Sequence, residues 1–405
     1  MADQIEALQL WRGLGDGSVP AVLDLRNPDD VAAAPFEGPP GSRVVTEALW
    51  RVLDDPAATA ARIPDGSVAV CAHGNGSEMI ADMLAEEGRR ALSLEEGMLA
   101  WNRLLVPEQI PLDDVPGLEV WQLLRPSKGC LSYVIGIRGA GAVIVDPARH
   151  YQAYLGLLDD ASMELVAVVD THLHADHLSG GPTLAAVTGA PYVLPSAELA
   201  GLGGLDGLSG PAGLSEAVGL SEAAGLSAAD PETIELDPDH HVQLVRLRLP
   251  GHTPGSTAVA VPGVLLAAGD TLFCNGVGRP DLTGQADRLA RLLFTSIHDQ
   301  LGAMPPSTLL LPAHWSRPGD LGPAGTVTAP LGDVLGSDTL SGLDADAFVA
   351  AITASLSPAP ASYERIRAVN AGAPALAEEL DELEIGRNQC AAAPPVPANR
   401  ARGAS

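Results

Sequence analysis

The 405-residue sequence is poor in cysteine, in aromatic residues and in positive charge. Its 4 cysteines are scattered and form no CxxC pair, which excludes the disulfide framework of a small secreted protein. Aromatic residues make up only 3%, so a buried core must consist mostly of Ala, Val and Leu. The net charge of −28 argues against nucleic acid or an anionic membrane as a partner.

The sequence also lacks any segment that predicts a signal peptide or a membrane span. Its start has no basic stretch followed by an apolar run. The longest apolar run, at about 257–269, is broken by Pro262 and Gly263 and is too short to cross a bilayer. We therefore expect a cytoplasmic protein with reduced cysteines, long enough for two or three domains.

Short apolar runs followed by helix-like segments predict two α/β domains. In residues 1–107, the runs at 21–25 and 67–71 are typical of strands in a parallel sheet. A proline-bearing linker is expected at 108–117. Residues 118–390 contain more strand-like runs with helices between some of them, which predicts a layered α/β domain.

Two segments predict no packed structure. Gly-Leu-Ser recurs every six residues within 201–230, and we expect this low-complexity insert to be a flexible surface loop. The segment 391–405 is rich in Ala and Pro and is expected to be a disordered tail.

The densest group of potential metal ligands directly follows the strand-like run at 165–170. Three histidines and one aspartate lie within six residues there, namely His172, His174, Asp176 and His177. Imidazole and carboxylate are ligands that suit Zn or Fe(II). Three more candidates each come at the end of an apolar run: His252, Asp270 and His314.

The order HxHxDH, GHTPGS, GD and a late His resembles the metallo-β-lactamase superfamily over roughly residues 118–317. This resemblance implies an αββα sandwich with a metal site on one edge. The runs GCLSY at 129–133, GDTLFCNGVGRPDL at 269–282 and YERIRAVN at 363–370 are similar to the persulfide dioxygenase branch. In that branch, residues matching Arg279 and Asp281 are expected near the substrate.

The resemblance implies two alternative metal centres. As in persulfide dioxygenases, one Fe(II) per chain would be held by His172, His252 and Asp270, with open positions for substrate sulfur and O2. The remaining side chains would then orient ligands and water: His174, Asp176, His177 and His314. As in glyoxalase II, two Zn ions would instead use all seven residues. One ion would bind His172, His174 and His252, the other Asp176, His177 and His314, with Asp270 bridging.

Cys71 is the candidate nucleophile of the first domain. It opens the run CAHGNGS before a predicted helix, where successive backbone N–H groups stabilise a thiolate. The alternative is a buried, inert cysteine. With VLDLR at 22–26 and EGMLAW at 96–101, residues 5–105 resemble a rhodanese domain, whose persulfide-carrying cysteine matches Cys71. Ala72 and Gly76 stand where rhodanese loops often carry arginine, which weakens the case for thiosulfate as a substrate.

Together, the two resemblances imply an enzyme of sulfur metabolism. It would oxidise a low-molecular-weight thiol persulfide to sulfite with O2, and its rhodanese-like domain would transfer sulfane sulfur. One alternative is a dinuclear zinc hydrolase of a thioester, and another is a non-catalytic sulfur-carrier module. The expected partners are small molecules, without nucleic acid or membrane, and the chain is compatible with a homo-oligomer.

Overall fold

The first of two α/β regions in the protein contains a parallel sheet. The computed structural model describes residues 2–112, 115–200, 232–237, 242–315, 320–337 and 340–392. The N-terminal sheet has the order β1-β5-β4-β2-β3, with strands Gln4–Ile5 (β1), Val22–Asp24 (β2), Val44–Thr46 (β3), Ser67–Val70 (β4) and Ala91–Leu94 (β5). Its helices are Ala7–Asp16 (α1), Pro28–Ala33 (α2), Leu49–Asp54 (α3), Pro56–Arg62 (α4), Asn75–Glu86 (α5) and Met98–Arg103 (α6).

The second region contains two six-stranded sheets. The second sheet has the order β11-β10-β9-β8-β7-β6, with strands Val106–Ile110 (β6), Leu118–Arg125 (β7), Cys130–Ile137 (β8), Gly141–Val145 (β9), Glu164–Val169 (β10) and Tyr192–Val193 (β11). The third sheet has the order β12-β13-β14-β15-β18-β19, with strands Thr233–Asp237 (β12), Val242–Arg248 (β13), Thr257–Val261 (β14), Leu265–Ala267 (β15), Leu309–Leu311 (β18) and Ala329–Pro330 (β19). A small antiparallel sheet joins Leu272–Phe273 (β16), Gly276–Gly278 (β17) and Ala391–Ala392 (β20).

The described residues of this second region also form eight helices. They are Gln152–Ala161 (α7), Gly181–Thr188 (α8), Ser196–Ala200 (α9), Ala286–Thr295 (α10), Leu331–Leu335 (α11), Ala345–Ser355 (α12), Ser362–Asn370 (α13) and Ala377–Leu383 (α14). A π-helical turn, Ser296–Gln300, and a 3-10 turn, Leu301–Ala303, extend α10.

Alternation along the strands divides the apolar side chains between two layers. In the second sheet, Tyr133 and Ile135 face the third sheet, whereas Val134 packs with α7 and α8 on the outer face. On the other side, α10 and α12 pack against the third sheet. The predicted αββα sandwich is thus confirmed, as is the parallel sheet of the first region.

Two expected boundaries differ from the structure. The expected linker at 108–117 overlaps β6, which pairs with β7 because Val106 and Ile110 are buried in the core between the sheets. The expected disordered tail begins in β20, because Ala392 is buried and pairs with Val277. The insert at 201–230 and residues 393–405 lie outside the described residues. Among the described helices, none combines the length and hydropathy needed to cross a bilayer.

A network of ion pairs, buried at Arg125 and Glu384, links the C-terminal segment (residues 362–392) to both regions. Glu384 accepts two hydrogen bonds from Arg125, at 2.6 and 3.1 Å, and one from Arg149 at 2.5 Å. Asp381 pairs with Arg149 and, at 3.0 Å, with Arg103 of the first region. Because Glu384 also accepts the backbone N–H that follows His177, the network supports the histidine-rich loop directly.

We expect Glu384→Ala to lower the free energy of unfolding by ~3–5 kcal/mol, because it leaves the buried Arg125 guanidinium without its carboxylate. Burial alone would raise the pKa of Glu384, but Arg125 and Arg149 outweigh it and hold the pKa below its ordinary value. The stabilisation is therefore present at neutral pH and is lost as the pH falls below about 4.3.

Urea unfolding followed by tryptophan fluorescence at neutral and acid pH measures this effect. Arg291→Ala is the matched control, because it breaks the exposed pair with Asp346 and should cost less than about 1 kcal/mol. Equal losses of unfolding free energy in Glu384→Ala and Arg291→Ala would contradict the prediction.

Candidate functional site

The candidate metal ligands meet because they follow strands that end at one edge of the two sheets. The histidine-rich loop follows β10, and His252 follows β13. Asp270 and His314 follow β15 and β18, which are paired in parallel and therefore end side by side. All seven side chains are buried, with exposed fractions of 3% or less.

His172, His252 and Asp270 form one group that could hold a single cation. Asp270 Oδ2 lies 3.3 Å from His252 Nε2 and 3.9 Å from His172 Nε2. None of these three donor atoms has a hydrogen-bond partner, although each is buried. Buried polar atoms without partners are costly, so three that converge on one point fit a bound metal ion.

Hydrogen bonds at Nδ1 orient the rings of His172 and His252 so that each Nε2 points toward Asp270. Thr171 Oγ1 donates its proton to Asp146 at 2.9 Å, so at 3.0 Å it accepts the Nδ1–H of His172. The Nδ1–H of His252 donates to the Arg279 carbonyl at 2.9 Å. With Nδ1 protonated, each Nε2 carries the lone pair that a metal requires.

The charge states of the group also suit a cation. Burial lowers the pKa of His172 well below its ordinary value and lowers the pKa of His252 as well, so both are neutral at pH 7. Burial alone would raise the pKa of Asp270, but the imidazoles of His314, His252 and His172 outweigh it and lower the pKa. The group therefore offers two neutral imidazoles and one carboxylate.

Two aspartates hold His174 by its Nε2, and its buried Nδ1 has no hydrogen-bond partner. Its Nε2 lies 3.1 Å from Asp146 Oδ1 and 3.6 Å from Asp170 Oδ1. Burial alone would lower the pKa of His174, but the two carboxylates raise the pKa well above its ordinary value. His174 is therefore an imidazolium bound between carboxylates.

A second group of donors surrounds Asp176. His177 Nδ1 lies 3.2 Å from Asp176 Oδ1, and Cys130 donates its S–H to Oδ2 at 3.1 Å. His314 Nε2 lies 3.6 Å from Asp176 Oδ2 and 3.0 Å from Asp270 Oδ1, without the alignment of a hydrogen bond. Burial alone would lower the pKa of His177, but Asp176 raises it to about 9.

The sequence alone did not single out the two cysteines of this second group as donors. Cys130 groups with Asp176 and His177, and Cys390 groups with Asp176 and His314. Cys130 stands in the GCLSY run, which carries a family resemblance but predicts no ligand. Cys390 comes from the far end of the described chain, so no local spacing could indicate it.

The side chain of Asn370 forms hydrogen bonds with the main chain of the histidine-rich loop. Its Nδ2 donates to the carbonyls of His174 and His177, each at 2.9 Å, and its Oδ1 accepts from Ser179 N at 3.0 Å. Asn370 ends α13, so this helix fixes the loop from outside.

Arg279 and Asp281, expected near the substrate, support His252. The Arg279 guanidinium donates two hydrogen bonds to Asp281, at 2.7 and 2.8 Å, and also binds the carbonyls of Ser357 and Gln389. The preceding Gly278 has no room for a side chain, because a Cβ there would lie 1.9 Å from the Asp270 carbonyl oxygen. The backbone at Gly278 therefore packs directly against the candidate ligands Asp270 and His252.

Cys71 lies in the first region at the N-terminus of α5. Its Sγ accepts the backbone N–H groups of Gly74 at 3.1 Å and Ser77 at 3.3 Å. Burial alone would raise the pKa of the thiol, but hydrogen bonds from Ser77, His73 and Gly74 outweigh it and lower the pKa. Gly97 is required beside this loop, since its φ is +58° and a Cβ would lie 2.2 Å from the Cys71 carbonyl oxygen.

The chain is similar to several known proteins. The model of the metallo-beta-lactamase superfamily matches residues 126–314. The mitochondrial persulfide dioxygenase ETHE1 of Bos taurus is 27% identical over 48% of this chain, which spans just under two thirds, 66%, of that relative. The crystal structure of ETHE1 from Myxococcus xanthus is 22% identical with a TM-score of 0.48, covering 62% of this chain and 97% of that one.

Other relatives are covered over more of their length. The probable metallo-hydrolase YqgX of Bacillus subtilis is 30% identical, over 42% of this chain and 79% of that protein. An uncharacterized protein of Mycobacterium tuberculosis is 32% identical, over 46% of this chain and 85% of that protein. The chain therefore belongs to the metallo-β-lactamase superfamily.

Proposed function

We propose that the protein is a persulfide dioxygenase with one Fe(II) held by His172, His252 and Asp270. The observation that carries this proposal is the convergence of three buried, unpartnered donor atoms from two histidines and one carboxylate. This donor set suits non-haem Fe(II). Similarity to the persulfide dioxygenase of Bos taurus supports the same reaction.

The proposed overall reaction is RSSH + O2 + H2O → RSH + SO3²⁻ + 2H⁺. The S–S bond breaks, and the terminal sulfur loses four electrons, which reduce O2. When bound, Fe(II) in such a triad leaves open positions for the substrate sulfur and for O2. Thr171 and the Arg279 carbonyl hold the two imidazoles, while the hydrogen bonds from Asn370 keep the loop in place.

We further propose that the first region is a rhodanese-like sulfurtransferase domain, cytoplasmic like the rest of the chain. The Cys71 thiolate would attack the terminal sulfur of RSSH and form Cys71–S–S⁻ as RSH leaves. The N–H groups of Gly74 and Ser77 stabilise negative charge on sulfur before and after transfer. Neither Ala72 nor Gly76 offers a cation that would bind thiosulfate.

A dinuclear zinc hydrolase of a thioester is the second candidate. Its supporting observation is that His177 Nε2 and His314 Nε2 also lack partners although they are buried beside Asp176. Asp270 Oδ1, 3.0 Å from His314, would then bridge the ions. His174 Nε2 is held by Asp146 and Asp170, and its buried, unpartnered Nδ1 would be a further ligand atom for this second candidate. A non-catalytic sulfur carrier would leave these unpartnered donors unexplained.

We expect protein purified with iron to hold about one Fe per chain and to consume O2 with a persulfide. Asp270→Ala should lose both the bound iron and the O2 consumption, because it removes the only carboxylate from the three proposed ligands. Elemental analysis and an oxygen electrode measure the two effects. Asp299→Ala, an exposed carboxylate outside the site, is the control and should retain both. Two zinc ions per chain with thioester hydrolysis and no O2 uptake would overturn the proposal.

His314→Ala and His177→Ala distinguish the two candidate centres. Under the iron proposal both are supporting residues, so activity or metal affinity should fall by roughly 10–100-fold while the metal count stays the same. Under the zinc alternative, His314→Ala should lower the count from two to one. Metal titration of each variant therefore decides between them.

Cys71→Ser should abolish sulfur transfer but leave iron content and O2 consumption largely intact, because Cys71 is no part of either donor group. Mass spectrometry after persulfide treatment should show one added sulfur on Cys71. Persulfide should be a better donor than thiosulfate. Cys274→Ser is the matched control, since burial raises the pKa of that thiol to about 11. Unimpaired transfer by Cys71→Ser would show that the cysteine is inert.

A further inference from the structure

Lys128 is the only lysine in the sequence, and it is buried. All other long basic side chains in the sequence are arginines. Its exposed fraction is 2%, and among the described residues no hydrogen bond or ion pair reaches its ammonium group. Protein covers the stem of the side chain, whereas the ammonium nitrogen keeps some exposed surface. The ammonium group can therefore bind a ligand of opposite charge.

Lys128 lines a cavity of about 250 Å³ between the two regions. The first region contributes Ala33 and Pro35 to the wall of this interdomain cavity. The second region contributes Lys128, Tyr363, Arg387 and Gln389, among others. Both regions thus form the cavity that Lys128 faces.

The interdomain cavity carries excess positive charge. Arg387 is already paired with Glu37 of the first region and donates to the Trp315 carbonyl at 2.8 Å. Lys128 has no such counter-charge. In a chain with a net charge of −28, an uncompensated cation facing a cavity favours a small anionic ligand.

The interdomain cavity adjoins the candidate metal centre. A second cavity of about 250 Å³ is lined by His314, Trp315 and Ser357, and it shares Arg387 and Gln389 with the interdomain cavity. Lys128 also lies two residues before Cys130, whose thiol is 3.1 Å from Asp176, so their Cα atoms are within ~7 Å. A ligand held at Lys128 therefore lies in a cavity next to the one that His314 lines.

We propose that the interdomain cavity binds an oxyanion on the ammonium group of Lys128, namely a carboxylate of the thiol that carries the persulfide. The anion site stands on the structure alone, whereas its assignment to the thiol rests on the proposed function. Sulfite, the product of that reaction, offers similar oxyanion chemistry. The experiment therefore includes sulfite as a separate arm.

Binding is tested without turnover, on the full chain labelled with [ε-15N]lysine. Because Lys128 is the only lysine, one side-chain NMR signal reports on it. We expect 3-mercaptopropionate to shift this signal saturably and 2-mercaptoethanol, which has no carboxylate, to leave it unchanged. A shift with sulfite but not with 3-mercaptopropionate would overturn the assignment to the thiol. No shift with either anion would overturn the site.

Kinetics then test the role of the charge. For the persulfide of 3-mercaptopropionate, Lys128→Met should raise KM by roughly 10–100-fold, the effect of losing a charged hydrogen bond, with a smaller change in kcat. Lys128→Arg should retain most of the affinity. KM for the persulfide of 2-mercaptoethanol should stay the same in all variants.

Two controls separate this effect from misfolding and from the proposed function. Arg138→Met removes a positive charge that pairs with Glu119 on the surface, and it should change neither KM nor the NMR signal. Lys128→Met should fold, since it removes an unpaired charge from a largely buried side chain. An equal rise of KM for both persulfides would show a structural effect and overturn the role. If the protein consumed no O2 at all, the NMR result would still decide on the anion site.

Discussion

The structure depends on one electrostatic constraint: seven candidate ligands are buried at one sheet edge with more lone pairs than the protein can satisfy. The hydrogen bonds around them, from Thr171, Asp146 and the Arg279 carbonyl, leave Nε2 of His172 and His252 unpartnered. Burying these atoms without partners lowers the stability of the folded chain unless a bound cation compensates for it. Much of the surrounding structure acts to keep these donors in place.

The C-terminal segment supplies much of that support. Asn370 holds the loop carbonyls, Glu384 holds the N–H after His177, and Cys390 reaches the Asp176 group. The same segment pairs with the first region through Arg387 and Asp381. The histidine-rich loop, the interface between the two regions and this segment are therefore linked by one connected set of interactions.

The sequence predicted the αββα architecture and singled out seven candidate ligands that the structure brings together, because both have local signals. The apolar runs at 21–25 and 67–71 contain β2 and β4, and the candidate ligands follow strand ends. The pattern missed β6, which contains Pro107 and pairs with the neighbouring strand β7. It also missed β20, Cys390 and the burial of Lys128. β20 and the place of Cys390 arise from contacts between residues far apart in sequence, which no spacing encodes.

The pairing of β20 with β17 has a consequence for the order of assembly. All seven candidate ligands are translated before α13, Glu384 and β20 emerge from the ribosome, and chains generally fold from the N-terminal end. During synthesis the donor cluster is therefore open to water on the side that the C-terminal segment later covers. A metal ion can enter then without displacing packed protein. In the folded protein β20 and Cys390 cover this side, so an ion that arrives later meets packed side chains there.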